Sequence, residues 1–199
     1  MERVLVIPES VFLAAGSFIG FKPFDQGYLA RLLDPRHLSY RPRDSVETDP
    51  TFKQLIPYVV LCCRGEVFGY TRGKAGGEKR LQALRSVGIG GHISHEDGPL
   101  DADPYRAGMA RELSEEVEIG SPFQEKLLGF IFDPSTPVGT VHLGIVHQME
   151  LAEPLVRPRE SALANAGFSR LEVLWDERAQ FETWSQLVLE ELQRGSSGR

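Results

Sequence analysis

Apolar residues occur mainly in short runs and alternating stretches, which predict strands, and helical spacing occurs at only a few places. The run at 56–63 is apolar on both faces, which is typical of a central strand. After Arg64-Gly65, residues 66–72 alternate between apolar and polar, which predicts the second strand of a hairpin. Further strands are predicted over 4–7, 87–93, 127–132 and 140–151, helices over 25–33 and 177–192, and irregular chain over 39–50 and 154–166. Strands mixed with a few helices indicate an α/β sandwich.

The most distinctive polar pattern is a group of three glutamates, Glu112, Glu115 and Glu116, spaced i, i+3 and i+4. On a helix they project within roughly 100° of one another, and Leu113 and Val117 form an apolar stripe beside them. Two carboxylates ~4–5 Å apart repel by roughly 3–4 kcal/mol at an effective dielectric near 20. A divalent cation reverses that sign, and oxygen ligands suit Mg²⁺ or Mn²⁺. An acidic helix face is more often merely solvated, so the neighbouring residues decide between the two interpretations.

Those neighbouring residues match a known motif. The sequence GGHI at 90–93 is followed by an acidic loop and then by RELSEEV at 111–117. Together they resemble the Nudix box, G-x5-E-x7-R-E-U-x-E-E-x-G-U, where U is aliphatic, and the resemblance covers about 90–119. It implies a Nudix-type α/β/α sandwich with a mixed central sheet. We expect one domain over 1–193, with an N-terminal extension at 1–50 packed on it, and a disordered tail at 194–199.

The chain departs from the motif at two points. Nineteen residues separate Gly91 from Arg111 where the pattern has thirteen, which indicates an insertion of six. Counting forward from Gly91 places the acid of the box at Asp97, and counting back from Arg111 places it at Asp103, so both stay open. The second departure is at 118, where a glutamate replaces the glycine that normally ends the helix. The glycine at 120 is expected to end it instead, so the helix should run slightly long.

The resemblance implies specific roles for the residues of the box. Glu112, Glu115 and Glu116 would bind one or more Mg²⁺ or Mn²⁺ ions, and the carbonyl oxygen of Gly91 would complete the ligand set. Arg111 would hold the carboxylates in orientation through an ion pair. The implied reaction is attack of water at phosphorus in a nucleoside diphosphate linked to another group. Glu112 is a candidate for the general base, which the sequence does not fix.

Cations near the box are candidates for gripping phosphate. Five of them lie within fourteen residues, at 72, 74, 79, 80 and 85, although a solvated loop would also be cationic. From this group and the motif we take Arg72, Lys79, Arg80 and His92 as candidate substrate-binding residues.

Composition limits the classes of partner. The net charge of −6 argues against a general nucleic-acid binder but not against a small phosphorylated substrate. No apolar stretch approaches the ~20 residues of a membrane span, and the apolar segment at 11–21 lacks the basic start of a signal peptide, so the cytoplasm is expected. The adjacent Cys62 and Cys63 point to opposite faces of a strand, so we expect core thiols rather than a disulfide. The resemblance also suggests a homodimer.

Three hypotheses follow for the function. The first is a Mg²⁺-dependent pyrophosphohydrolase, which the intact set of box residues favours. The second is a non-catalytic nucleotide-binding or regulatory module, for which the changed residue at 118 and the lengthened loop argue. The third is a prenyl diphosphate isomerase, since one fold hosts several chemistries. It would need a reactive cysteine, and the apolar setting of Cys62 and Cys63 makes it the weakest of the three.

Overall fold

The computed structural model describes residues 2–72, 84–159 and 163–197. Helices in these ranges are α1 (Glu9–Gly16), α2 (Gln26–Leu32), α3 (Arg43–Val46), α4 (Pro104–Glu116), α5 (Leu171–Asp176) and α6 (Thr183–Ser197). Strands are β1 (Arg3–Pro8), β2 (Gly20–Pro23), β3 (Ser39–Pro42), β4 (Phe52–Cys63), β5 (Glu66–Arg72), β6 (Arg85–Ser86), β7 (Gly88–Ile89), β8 (Val117–Ile119), β9 (Phe123–Phe132), β10 (His142–Leu151), β11 (Val156–Pro158) and β12 (Leu163–Arg170). The chain divides into two compact units, one of 1–58, 90–112 and 127–146, the other of 59–89, 113–126 and 147–199.

Strands of the first unit pair in both directions. β1 lies antiparallel between β3 and β4, and β2 is antiparallel to β9. The backbone N–H of Gln54 donates to the carbonyl oxygen of Val141 at 2.7 Å, so the starts of β4 and β10 lie side by side and these neighbours run parallel. The predicted α/β class with a mixed sheet is therefore confirmed.

An apolar core holds the first unit together. Alternate residues of β1 and β10 meet apolar residues of α1, α2 and α4 there, and aromatic rings stack edge to face within it. Its largest buried members include Leu5, Ile7, Phe12, Leu32 and Phe130. Lys53 is buried beside this core, and its ammonium is paired with the Glu9 carboxylate at 3.0 Å.

The second unit is built around the predicted hairpin. Cys62 and Cys63 of β4 pair with Val67 and Glu66 of β5, and both turn residues have positive φ, at 52° for Arg64 and 85° for Gly65. β12 lies antiparallel to the other side of β5, and β8 pairs with β11 in a separate two-stranded ribbon. Both cysteines are buried and free, as predicted.

The structure corrects several predicted element boundaries. The segment predicted as irregular at 39–50 contains β3 and α3, because Ser39–Pro42 pairs with β1 although its own sequence has no strand periodicity. Likewise, 154–166 contains β11 and the start of β12. The predicted strand at 87–93 is reduced to β7.

Two helix ends also differ from prediction. α4 ends at Glu116, not near Gly120, because Val117 already pairs with Pro158 in the β8–β11 ribbon. α6 runs to Ser197, so residues 194–197 continue a helix where a disordered tail was expected. The single-domain organisation stays a prediction. The described part of the chain has no helix long and apolar enough to span a membrane.

Candidate functional site

An arginine on α4 organises the candidate site. The guanidinium of Arg111 donates from Nε to Asp97 Oδ1 at 2.6 Å and from Nη2 to Asp97 Oδ2 at 2.9 Å, and the Asp97 side chain is only 3% exposed. Asp103 instead lies at the start of α4, with φ of 52°, and accepts the backbone N–H of Arg106 at 3.2 Å. Asp97 is therefore the acid that pairs with the arginine, and the insertion follows it in the chain.

Arg111 also reaches two further parts of the site. Its Nη1 donates to Glu112 Oε1 at 2.8 Å, and its Nη2 donates to the backbone carbonyl oxygen of His92 at 3.0 Å. The hydrogen bonds that Arg111 donates to the Asp97 carboxylate raise the pKa of Arg111 above its usual value, and Glu112 adds to this effect. Arg111 is thus a permanent cation that connects a carboxylate of α4 to the backbone just after Gly91. Its role in orienting the metal-binding carboxylates stays a prediction.

Two glycines let the backbone approach closely at this point. A Cβ added to Gly91 would lie 2.2 Å from Glu112 Oε2, so the carboxylate occupies the space that a side chain would need. A Cβ on Gly90 would lie 1.8 Å from the carbonyl oxygen of Pro57, in the neighbouring strand β4. The glycines are required here by proximity, and the Glu112 carboxylate, whose side chain is 18% exposed, rests directly against the backbone of Gly91.

The donors at this point fit a hard divalent cation. A carboxylate beside a side-chain-free backbone offers only oxygen atoms, which Mg²⁺ and Mn²⁺ prefer. The helix that carries Glu112 also carries Glu115, which is exposed, and Glu116, which is half-buried. Within the ranges that the structure describes, no three His, Cys, Asp or Glu side chains are gathered as a metal site.

The histidine that follows Gly91 has a partner that the sequence analysis did not assign to it. His92 Nε2 lies 3.1 Å from His142 Nε2, at the start of β10. Burial holds the pKa of His92 well below its usual value, and the neighbouring His142 and Arg43 lower it further. The ring of His92, taken from sequence as a candidate for binding substrate, is thus held neutral against a second imidazole. Fifty residues separate the two in sequence, so no local pattern indicates the pair.

Of the five cations predicted as candidates for binding phosphate, only those at 72 and 85 lie among the described residues. Arg72 lies 3.3 Å from the buried carboxylate of Glu182, which also accepts from the hydroxyl of Ser86 at 2.6 Å. Arg85 pairs with Glu177. Lys79 and Arg80 lie outside the described residues. Arg72 and Arg85 thus have carboxylate partners within their own unit.

The cysteines have no activating environment. Burial raises the pKa of Cys62 to about 12, and the nearby Glu150 carboxylate adds to that effect. A thiol of this kind is neutral at physiological pH and is a poor nucleophile. This disfavours the isomerase hypothesis, which needs a reactive cysteine.

Comparisons with known proteins identify the family. No family model matches the chain. Protein YmaB of Bacillus subtilis (strain 168) is 34% identical, over 96% of this chain and 98% of that protein. The crystal structure of Tm1382, which is proposed to be a Nudix hydrolase, superposes with a TM-score of 0.82 at 31% identity, covering 96% of this chain and 97% of the other. The chain belongs to the Nudix hydrolase family, as its box predicted.

A more distant structure shares the fold alone. It is a bifunctional NMN adenylyltransferase/ADP ribose pyrophosphatase from Francisella tularensis, complexed with AMP and a manganese ion. The TM-score is 0.52 at 14% identity, over 72% of this chain and 42% of that one.

Proposed function

We propose that this protein is a divalent-metal-dependent pyrophosphohydrolase that cleaves the diphosphate linkage of a nucleoside diphosphate-linked substrate or a related organic pyrophosphate. The observation that carries the proposal is the Glu112 carboxylate, which Arg111 holds against the bare backbone of Gly91. A carboxylate fixed in this way has little orientational freedom to lose when it binds a cation. Membership of the Nudix hydrolase family supports this reaction class.

The box residues would have two roles, binding the metal ion and positioning its ligands. Glu112, Glu115 and Glu116, with the Gly91 carbonyl, would hold Mg²⁺ or Mn²⁺. Such an ion, when bound, neutralises phosphate charge and lowers the pKa of a coordinated water. Arg111 keeps the Glu112 carboxylate in place while Asp97 keeps Arg111 in place. The manganese ion in the complex of the Francisella tularensis protein, 42% of which superposes on this fold, is consistent with this choice of metal.

The test is a substrate panel with charge-removing variants. Glu112→Gln and Glu116→Gln keep the side-chain size and remove a negative ligand, and we expect each to lower kcat by at least ~100-fold. Glu118→Gln is the matched control, because Glu118 is exposed and lies beyond the end of α4. The panel contains nucleotide sugars, dinucleotides, CoA, NAD and (d)NTPs, each with Mg²⁺, with Mn²⁺ and with EDTA.

The outcomes separate the hypotheses. Loss of turnover in the first two variants and in EDTA, with Glu118→Gln close to wild type, supports the hydrolase. Nucleotide binding by calorimetry without phosphate release from any substrate would contradict it and favour the non-catalytic module.

A further inference from the structure

The first unit contains a concave site that is not lined by the glutamates of the box. Its volume is about 570 Å³, which is within the range of small-molecule sites. One wall is the β1–β3 pair, with Arg3, Tyr40 and Pro42, and the other is the loop after Gly91, with His95 and Leu100. The cavity thus joins the N-terminal strands to the loop of the candidate site.

The side chains of this cavity suit a flat, anionic ligand. The rings of Tyr40 and His95 meet edge to face, with centroids 6.4 Å apart, and Leu100 adds apolar surface. Arg3 donates from Nη2 to the carbonyl oxygen of Tyr40 at 2.8 Å. Among the described residues it has no carboxylate partner, in a chain with a net charge of −6. Its remaining N–H groups can therefore bind an anion at the mouth of an aromatic cavity.

The cavity wall is fixed by contacts at both ends of its loop. The backbone N–H of Leu5 donates to the carbonyl oxygen of Ile93 at 2.8 Å. The hydroxyl of Tyr40 donates to the carbonyl oxygen of Gly98 at 2.7 Å. Between them, the backbone N–H of Ser94 donates to Asp97 Oδ2 at 2.7 Å. A wall held in this way is organised before a ligand arrives, which favours binding.

The same loop links the cavity to the candidate site. Asp97 lies between His95 and Leu100 in sequence, and its carboxylate holds Arg111 on α4. The six extra residues relative to the motif follow Asp97, so Gly98 and Leu100 lie in the lengthened part of the loop. The cavity is thus lined by the N-terminal strands β1 and β3 and by the lengthened loop.

We propose that this cavity binds a nucleoside phosphate, with the phosphate on Arg3 and the base against Tyr40 and His95. The nucleotide class rests on the proposed function, while the site itself rests on the cavity. The ligand could be the nucleotide half of the substrate or a separate nucleotide, and the chemistry that recognises it is the same.

Binding is tested without metal, so that it does not depend on hydrolysis. AMP, GMP, CMP and UMP are titrated into the protein in EDTA by calorimetry. We expect Arg3→Gln to weaken binding at least ~10-fold, and Arg31→Gln, an exposed arginine on α2 that does not line the cavity, to leave it unchanged. Glu112→Gln should also bind normally, which separates this site from the proposed catalytic one.

The contribution of the base is tested separately. His95→Ala should weaken the binding of the mononucleotides but not that of inorganic phosphate. Nucleotide is tested up to about 1 mM, which is enough to detect a weak affinity. The proposal would be overturned if wild type did not bind at this concentration. It would also be overturned if wild type and Arg3→Gln bound equally well. Thermal unfolding of each variant checks that the fold is retained.

Kinetics distinguish the two sources of the ligand. A raised KM with unchanged kcat in Arg3→Gln indicates the nucleotide half of the substrate. An unchanged KM, with added AMP altering kcat in wild type but not in Arg3→Gln, indicates a separate nucleotide. A wild type without turnover would defeat the proposed function alone, because nucleotide binding is measured independently of it.

Discussion

Two arginines of this protein have nearly the same burial but different surroundings. The side chains of Arg111 and Arg72 are 32% and 33% exposed, and each pairs with a buried carboxylate, Asp97 for the first and Glu182 for the second. Glu182 additionally accepts from the hydroxyls of Ser86 and Ser185. The Glu182 carboxylate thus accepts from neutral hydroxyls as well as from the Arg72 guanidinium.

The Arg111 network contains a second carboxylate. Arg111 holds both Asp97 and Glu112, and the second of these rests against the backbone of Gly91. Arg111 thus binds two carboxylates, and one of them lies against a backbone that carries no side chain. Burial and pairing alone therefore do not distinguish a structural arginine from one at a functional site. The additional carboxylate and its contact with the backbone of Gly91 make Arg111 the candidate.

The largest expected effect comes from adding one methyl group at Gly91, because it displaces the Glu112 carboxylate that distinguishes the Arg111 network from the Arg72 network. In Gly91→Ala the new Cβ would lie 2.2 Å from Glu112 Oε2, so the carboxylate must move, and the end of a flexible side chain can do so at little cost in stability. We expect kcat/KM to fall ~10–100-fold and Mn²⁺ binding to weaken similarly, with Tm nearly unchanged. Calorimetric titration with Mn²⁺ and thermal unfolding measure the two effects.

The neighbouring glycine provides the control. In Gly90→Ala the Cβ would lie 1.8 Å from the carbonyl oxygen of Pro57, which belongs to a buried strand and cannot move aside. That variant should lose stability severely. If Gly91→Ala instead kept full activity, the position of the Glu112 carboxylate would not matter for function.

The secondary-structure elements that depend only on local sequence pattern were predicted correctly. The hairpin at Arg64-Gly65 and the helix with Glu112 follow from alternation and helical spacing, and the structure has both. The choice between Asp97 and Asp103 needed the structure, because an insertion can lie on either side of the acid and spacing alone does not locate it.

Long-range pairing explains what the sequence missed. β3 exists because Ser39–Pro42 pairs with β1, and α4 ends at Glu116 because the next residues pair with β11. The contact of Arg72 with Glu182 joins residues that are 110 positions apart, so the cation looked available to substrate. Local periodicity carries no information on partners this distant.

Replacing the second arginine should affect stability and leave substrate affinity unchanged. Arg72→Met keeps most of the side-chain length and removes the guanidinium that pairs with the buried Glu182 carboxylate. Because Arg72 is one-third exposed, we expect a loss of about 2 kcal/mol, below the range for a fully buried pair. Urea unfolding measures the loss, and KM measured on the active substrate should stay within about twofold, a change worth less than ~0.5 kcal/mol.

The double variant Arg72→Met/Glu182→Leu is the control. It removes both charges, so it should recover part of the lost stability. A large rise in KM in Arg72→Met at normal stability would instead place Arg72 in contact with substrate, as the sequence analysis first suggested.

The smallest expected effect concerns a buried titratable group of the second unit. The pKa of Cys62 is raised to about 12 by burial, so the folded protein keeps the thiol protonated while the unfolded chain ionises near its ordinary value of about 8.5. The resulting stabilisation is fully present at pH values below the pKa of the unfolded thiol. It is lost as the pH rises toward the pKa of the thiol in the folded protein. Cys62→Val fills similar space and cannot ionise.

The stability advantage of wild type over Cys62→Val should therefore shrink by about 1–2 kcal/mol between pH 8 and pH 10, within the limit of ~1.4 kcal/mol per pH unit for one proton. Urea unfolding at each pH measures the free energy of unfolding of both proteins. Other buried groups titrate alike in the two proteins, so their contribution cancels in the difference. A constant difference would mean that Cys62 ionises equally in both states. The predicted slope would show that burial of the Cys62 thiol contributes to stability, whereas the position of the Glu112 carboxylate in the Arg111 cluster is expected to affect activity.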